Sequence, residues 1–358
     1  MLFLQVVKDR SRMVRGWFAA GLRRCRILRV KTNENAVGIS ILRRRLVFRG
    51  YKDRDGKTVM DKEYLDHAIF KSLSEASKFY HNLAENVVNF VPKWVSVHPI
   101  VNYDSYFFEA LANSILSIKA ILELGHITDA KALLRNLFDE TIVNLYFMAR
   151  LKKKDDEIVN SMTDANFLIQ RLQPEQLYDI NVSDWLTDNK TKTLQKALHY
   201  DEMRDFLKQE VCIAEFVEYL ESSECKKMRE WLNDAVHLNY YKAILLNDGR
   251  LGIDGLRKAT IDEFKCAFDQ IVMFHATCLF CLEPAYMMSS KYFDYKDCGM
   301  KPPDGCQYDV APFVQSFLDK TVYKASPDWA RKLVKTASPM RLRKMEEVRG
   351  CNDVGLVW

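Results

Sequence analysis

The chain has 358 residues, 48% hydrophobic and 12% aromatic, enough to bury one large or two ordinary cores. Thirteen glycines and nine prolines are few for this length, which disfavours a turn-rich β protein and favours long helices. The formal net charge of +5 is lopsided: residues 1–49 carry about +11 and the remainder about −6, so the whole surface is not that of a polycation.

The basic segment 1–49 has three readings. It is a peripheral appendage (an over-extended start would produce one), or an arm that binds nucleic acid through clustered arginines, or an Arg-rich, acid-poor transit peptide. Within it, 43-RRRLVFR-49 is expected as a strand pairing with 57-KTVM-60 across the Asp55-Gly56 turn.

Residues 61–94 read as a long helix, with Leu65, Ile69, Leu73, Ala76, Tyr80 and Leu83 at helical spacing. Pro92 and Pro99 then bracket a loop. The most informative stretch is 104–150. Phe108, Leu111, Ile115, Ile118 and Leu122 form one apolar stripe, Gly125 stands where a left-handed helix end needs it, and Thr128 is read as the cap of the next helix. The short link predicts an antiparallel helical hairpin broken at 125–127. Its second helix places Arg135, Asp139 and Glu140 among apolar residues, a position charges tolerate when paired or used.

Further helices are expected over 156–172 and 190–221, with a polar loop around 180–190 between them. Another helix is expected over 223–247, capped at Ser222 or Ser223 and ended by Asn247-Asp248-Gly249. A nearly all-round apolar helix is expected over 260–290, central in a bundle. Residues 291–307 read as a loop, and Ser326-Pro327-Asp328 and Ser338-Pro339 each announce a short helix. No run of about 18 or more uncharged apolar residues occurs, so no transmembrane helix is predicted. The nearest approach, 271–282, contains His275, which is read as a satisfied core histidine. The fold class expected is therefore all-α. It comprises a basic N-terminal extension with a β-hairpin (1–60), a multi-helix bundle (61–290), and a loop with short C-terminal helices (291–358).

The chemistry concentrates in 226-KKMREWLNDAVHLNYY-241. On a helix, Arg229, Asn233, His237 and Tyr241 follow at four-residue spacing and form a polar stripe with Asp234 beside it. The bland reading is a solvated face. The functional reading makes His237 a proton carrier near neutral pH and Arg229 an anion binder. Arg135, Asp139 and Glu140 would complete the site if the hairpin helix packs alongside.

Metal readings are weaker. Cys278-x-x-Cys281 with Cys298 and Cys306 has zinc-ligand chemistry, but its first pair sits on an apolar helix where buried thiols are the norm. Asp234-x-x-His237 with Glu140 lacks the second motif a di-iron bundle needs, and His199 with Glu202 has the reversed order. No metal or cofactor is expected, and nine scattered cysteines suggest free thiols in a reducing cytoplasm. No phosphate loop, dinucleotide glycine motif or nucleophile elbow is present.

The run 121-ILELGHITDAKALLRNLFDETIVNLYFM-148, with 232-LNDAVHLN-239 downstream, resembles the helical HEPN-like superfamily in its uncharacterised bacterial branches. Gly125, Ala130, Leu133, Arg135 and Glu140 stand near that pattern, Glu140 one residue late, and the likeness covers roughly 62–290. It implies a protein that cleaves or binds RNA, as a bacterial defence or toxin effector. Catalytic members are metal-independent RNases with an Arg-(four to six residues)-His motif at a dimer interface. On that pattern His237 would be the general acid/base. Arg229 or Arg135 would stabilise the phosphorane, and Asn233 or Asp234 would orient the histidine. Here seven residues separate Arg229 from His237, a departure that keeps a second class open: a non-catalytic helical interaction module, adaptor or regulatory subunit. The expected partners are RNA or another nucleic acid, a partner protein and further copies of the chain, with no membrane.

Overall fold

The computed structural model describes residues 51–52, 58–59, 62–90, 103–161, 179–186, 188–237, 239, 241–247, 254–324, 326–338 and 340–342. The chain divides into two compact units, residues 1–46 and 47–358, and the first lies outside the described residues together with the basic-arm readings.

The second unit is an all-α, multi-helix bundle with one small antiparallel ladder, β1 (Tyr51–Lys52) against β2 (Thr58–Val59). Tyr51 pairs with Val59 and Lys52 with Thr58. Residues 58–59, within the strand expected over 57–60, thus pair with 51–52, and the expected partner strand 43–49 lies outside the described residues.

The helix expected over 61–94 is two: α1 (Lys62–Leu65) and α2 (Ala68–Phe90). His67 causes the break. Its Nδ1 accepts from the backbone N–H of Ile69 at 3.2 Å, and its Nε2 meets Asp262 Oδ1 at 2.9 Å, so a side chain replaces a helical carbonyl.

The hairpin is α3 (Tyr103–Glu123) and α4 (Ile127–Ser161). Gly125 has φ +77°, its N–H donates to Leu122 O at 2.8 Å, and His126 N–H reaches back to Ile121 O at 3.2 Å. That paired closure is a Schellman turn, and only glycine enters it without strain. Thr128 is not the cap of α4. Its hydroxyl donates to Ala243 O at 2.6 Å, while Asn247 Oδ1 accepts the N–H groups of Thr128 (2.9 Å) and Asp129 (3.2 Å) from across the bundle. Asn247 Nδ2 in turn donates to Asp129 Oδ1 at 2.8 Å. α4 also runs on to Ser161, so the 156–172 helix begins as its continuation, and 162–178 lie outside the described residues.

The expected 180–190 loop begins as a helix, α5 (Ile180–Leu186). Asp179 starts it by accepting from Asn181 N–H at 2.9 Å while pairing with Arg150 at 2.6 Å. The helix expected over 190–221 is a staircase: α6 (Lys192–Ala197), α7 (Tyr200–Leu207), α8 (Ala214–Val217) and a 3₁₀ turn at Glu218–Glu221. The helix expected over 223–247 is α9 (Ser223–His237) and α10 (Tyr241–Leu246), with Ser222 Oγ capping Cys225 N–H at 3.1 Å.

α11 (Asp254–Leu282) is the apolar central helix, starting earlier than expected. By length and composition it could cross a membrane, yet 78% of its apolar window is buried inside the bundle. α12 (Lys291–Asp297) lies in the expected 291–307 loop, α13 (Pro312–Leu318) continues as a π-helical turn over Asp319–Tyr323, and α14 (Pro327–Thr336) starts as expected on Ser326. The helix signalled by Ser338-Pro339 falls mostly outside the described residues.

α4 is the hub, packed by α3, α7, α9 and α11. Leu134, Phe138, Ile142, Leu145 and Phe147 from α4 and Phe264, Phe268, Ile271 and Phe274 from α11 are essentially inaccessible. Phe79 stacks on Phe317 at 4.0 Å, which seats α13 on α2, and Trp329 of α14 meets Phe216, Tyr219 and Phe274. Where α2, α4 and α11 meet, His275 is fully buried. Tyr80 OH donates to its Nδ1 at 2.7 Å, and its Nε2 donates to Asn144 Oδ1 at 2.9 Å. Burial pushes its pKa down to about 3, so it stays neutral with one tautomer fixed by two partners. It is the satisfied core histidine the sequence suggested.

Candidate functional site: a polar seam between two helices

Thr128, Lys131, Arg135 and Asp139 recur at three- and four-residue intervals and line one face of α4. α9 and α10 pack against that face. Arg135 Nε donates to Asn233 Oδ1 at 2.8 Å, and Arg135 also pairs with Asp139 one turn on. Thus the structure brings together Arg135, Asp139 and Asn233, three residues the sequence singled out on separate elements.

Arg229 sits one turn before Asn233. Its guanidinium lies on the Tyr200 ring, 3.4 Å from the centroid, and Tyr200 in turn meets Phe138 of α4 at 6.2 Å. Burial pushes the Tyr200 hydroxyl up to about 12, so it is neutral and the ring is a platform. Among the described residues Arg229 has no acidic partner, and its buried Nε has no hydrogen-bond partner.

Asp234 turns toward the other end of the seam. It accepts from Asn239 Nδ2 at 3.0 Å and faces Lys131. Lys131 is inaccessible, with Nζ 3.7 Å from the Trp231 ring centroid, and Trp231 Nε1 donates to Glu263 Oε2 at 3.0 Å. Burial pulls the Lys131 pKa down to about 8, against the pull of Asp234 and Glu263.

The remaining site residues are placed apart. Glu140 hydrogen-bonds Ser114 of α3, on a different side of α4 from Asn233, and burial holds its pKa above the usual carboxylate range. His237 is the last residue of α9, exposed and without a partner among the described residues. Tyr241 opens α10, so the stripe of four expected on one helix is three residues long. Along α9, Arg229 and His237 are about 12 Å apart in axial rise.

Among the described residues no three His, Cys, Asp or Glu side chains converge as a ligand set, which covers both the cysteine and the Asp234–His237 readings there. The seven described cysteines are free, and burial raises the thiol pKa of Cys278 and Cys281.

Sequence reasoning missed three members of this seam. Lys131 was legible, four residues before Arg135 on the same stripe. Tyr200 and Asn247 carry no local signal, since each reaches the seam only through tertiary packing. Comparison with known protein families, curated proteins and solved structures finds no match for this chain. The functional reading therefore rests on the seam's own chemistry and on the motif resemblance.

Proposed function

We propose that this chain is a HEPN-like helical protein that binds RNA phosphates at the α7–α9 face, without the geometry for cleaving them. The observation that carries the reading is Arg229: a guanidinium stacked on Tyr200, with no acid among the described residues to neutralise it, one turn along α9 from the Asn233 that holds Arg135. A stacked arginine keeps its in-plane N–H edge free, which is the edge that grips a phosphate. Against cleavage stand the axial gap between Arg229 and His237, the free-standing His237, and Glu140's engagement with α3. A general acid/base works within hydrogen-bond reach of the group it serves, and among the described residues nothing orients this histidine. The interaction is placed in the cytoplasm, with the basic segment 1–49 as an auxiliary arm. A role in defence enters only with the resemblance.

The test is fluorescence anisotropy of the full chain with single-stranded RNA in EDTA across a salt series. Arg229→Ala should weaken binding and reduce the log-affinity against log-salt slope by about 0.7 for the lost phosphate contact. His237→Ala should leave both unchanged. An Arg229→Ala variant that binds as the wild type overturns the reading. RNA cleavage in EDTA that His237→Ala abolishes moves the protein to the ribonuclease class. No RNA binding at all moves it to the interaction-module class.

A further inference from the structure

Away from the seam, α2 and α3 present His81, Glu85 and Glu109 together on the surface. His81 and Glu85 are one turn apart on α2, with His81 Nε2 3.4 Å from Glu85 Oε1. From α3, Glu109 Oε2 stands 2.8 Å from His81 Nδ1. All three are open to solvent, at 51%, 69% and 45% exposure.

The ring hydrogen bond has a direct consequence. Glu109 is an acceptor only, so Nδ1 carries the ring proton, and the neutral imidazole presents its Nε2 lone pair to Glu85. A lone pair and a carboxylate oxygen then face each other across 3.4 Å. A cation seated between them would be held by both. Two ligands each about 2.1 Å from one ion and subtending 90–110° at it are about 3.0–3.4 Å apart. The observed separation lies at the top of that range.

We propose that His81 Nε2 and Glu85 form a surface site for a divalent transition-metal ion, with Glu109 as the positioning residue that fixes the imidazole tautomer. One imidazole, one carboxylate and solvent water suit Ni²⁺, Cu²⁺ or Zn²⁺ and not Ca²⁺, which asks for an oxygen cage. The carboxylate on the far ring nitrogen is the usual outer partner of a ligating histidine, and it raises the basicity of the ligating atom. Because Glu109 sits on the opposite edge of the ring, it cannot bind the same ion, which leaves the site with two protein ligands and open positions.

The experiment is calorimetric titration of the full, reduced chain with Ni²⁺ at pH 7.5. Wild type, His81→Ala, Glu85→Gln and Glu109→Gln are compared, with thermal melts confirming that each variant folds. The wild type should bind one more equivalent than His81→Ala. Glu85→Gln should weaken that equivalent at least tenfold. Glu109→Gln should keep the stoichiometry and weaken it about 10- to 100-fold. Equal stoichiometry and affinity for wild type and His81→Ala overturn the site. An unchanged affinity in Glu109→Gln overturns the positioning role.

Discussion

Replacing Lys131 with methionine tests how the seam is held. The native pKa of about 8 lies below the ordinary 10.5. Between those two values the unfolded chain binds a proton that the native one does not, so stability rises with pH through that window. The full span is worth about 3 kcal/mol, of which roughly 1.3 kcal/mol appears between pH 7 and 9. The Trp231 ring works in the opposite direction. Its attraction to the ammonium is worth about 1–2 kcal/mol and favours the charged form, so the observable span falls to roughly 1–3 kcal/mol. Lys131→Met keeps an unbranched side chain of nearly the same length beside Trp231, without the ammonium that contacts the ring, and removes the titration. At pH 7 it should match or exceed the wild type in stability by about 1 kcal/mol, since a buried charge is replaced by an apolar group. The assay is urea unfolding in reductant at half-unit steps from pH 7 to 9.5. The wild-type free energy should climb toward that of the variant, with all other titrating groups common to both. Parallel profiles would refute the buried-charge account of Lys131.

The Arg135–Asn233 bond predicts coupling across the seam. A double-mutant cycle with Arg135→Ala and Asn233→Ala, read by urea unfolding, should give an interaction energy of about 1–2 kcal/mol, and additivity within about 0.3 kcal/mol would contradict it. Asn247→Ala should destabilise the fold by about 1 kcal/mol, as loss of a helix cap does, and should raise amide exchange at Thr128 and Asp129 specifically. Unchanged exchange at those two amides would show that Asn247 is not the cap.

The parts of this molecule that were legible in the sequence are those governed by near neighbours. Gly125 and the 3-4-3-4 stripe before it announce the hairpin because a left-handed turn and an apolar face are local requirements. Ser326-Pro327 and Ser222 announced their helices for the same reason. The break between α9 and α10 was not legible, since 232-LNDAVHLN-239 holds neither glycine nor proline. Its agent is Asn239, whose N–H and side chain fold back on Asp234 and draw the chain off the helical path. Within the site, Arg135 and Asn233 could be named as members of stripes, but which stripes would face each other depends on packing. Glu140 illustrates the cost of that gap: adjacent to Asp139 in sequence, it points to α3.

The capping of α4 by Asn247 also bears on the order in which the bundle assembles. The Schellman turn at Gly125 closes between residues three and five apart, and α3 and α4 can pair as soon as it forms. The first turn of α4, by contrast, waits for a side chain 119 positions away. Contacts of such separation form late in most transition states, because loop closure must precede them. The bond between Asn247 and α4 therefore acts as a latch on the finished structure: losing it should accelerate unfolding while leaving the folding rate nearly intact. The longest helix among the described residues is thus kinetically guarded at its start by Asn247.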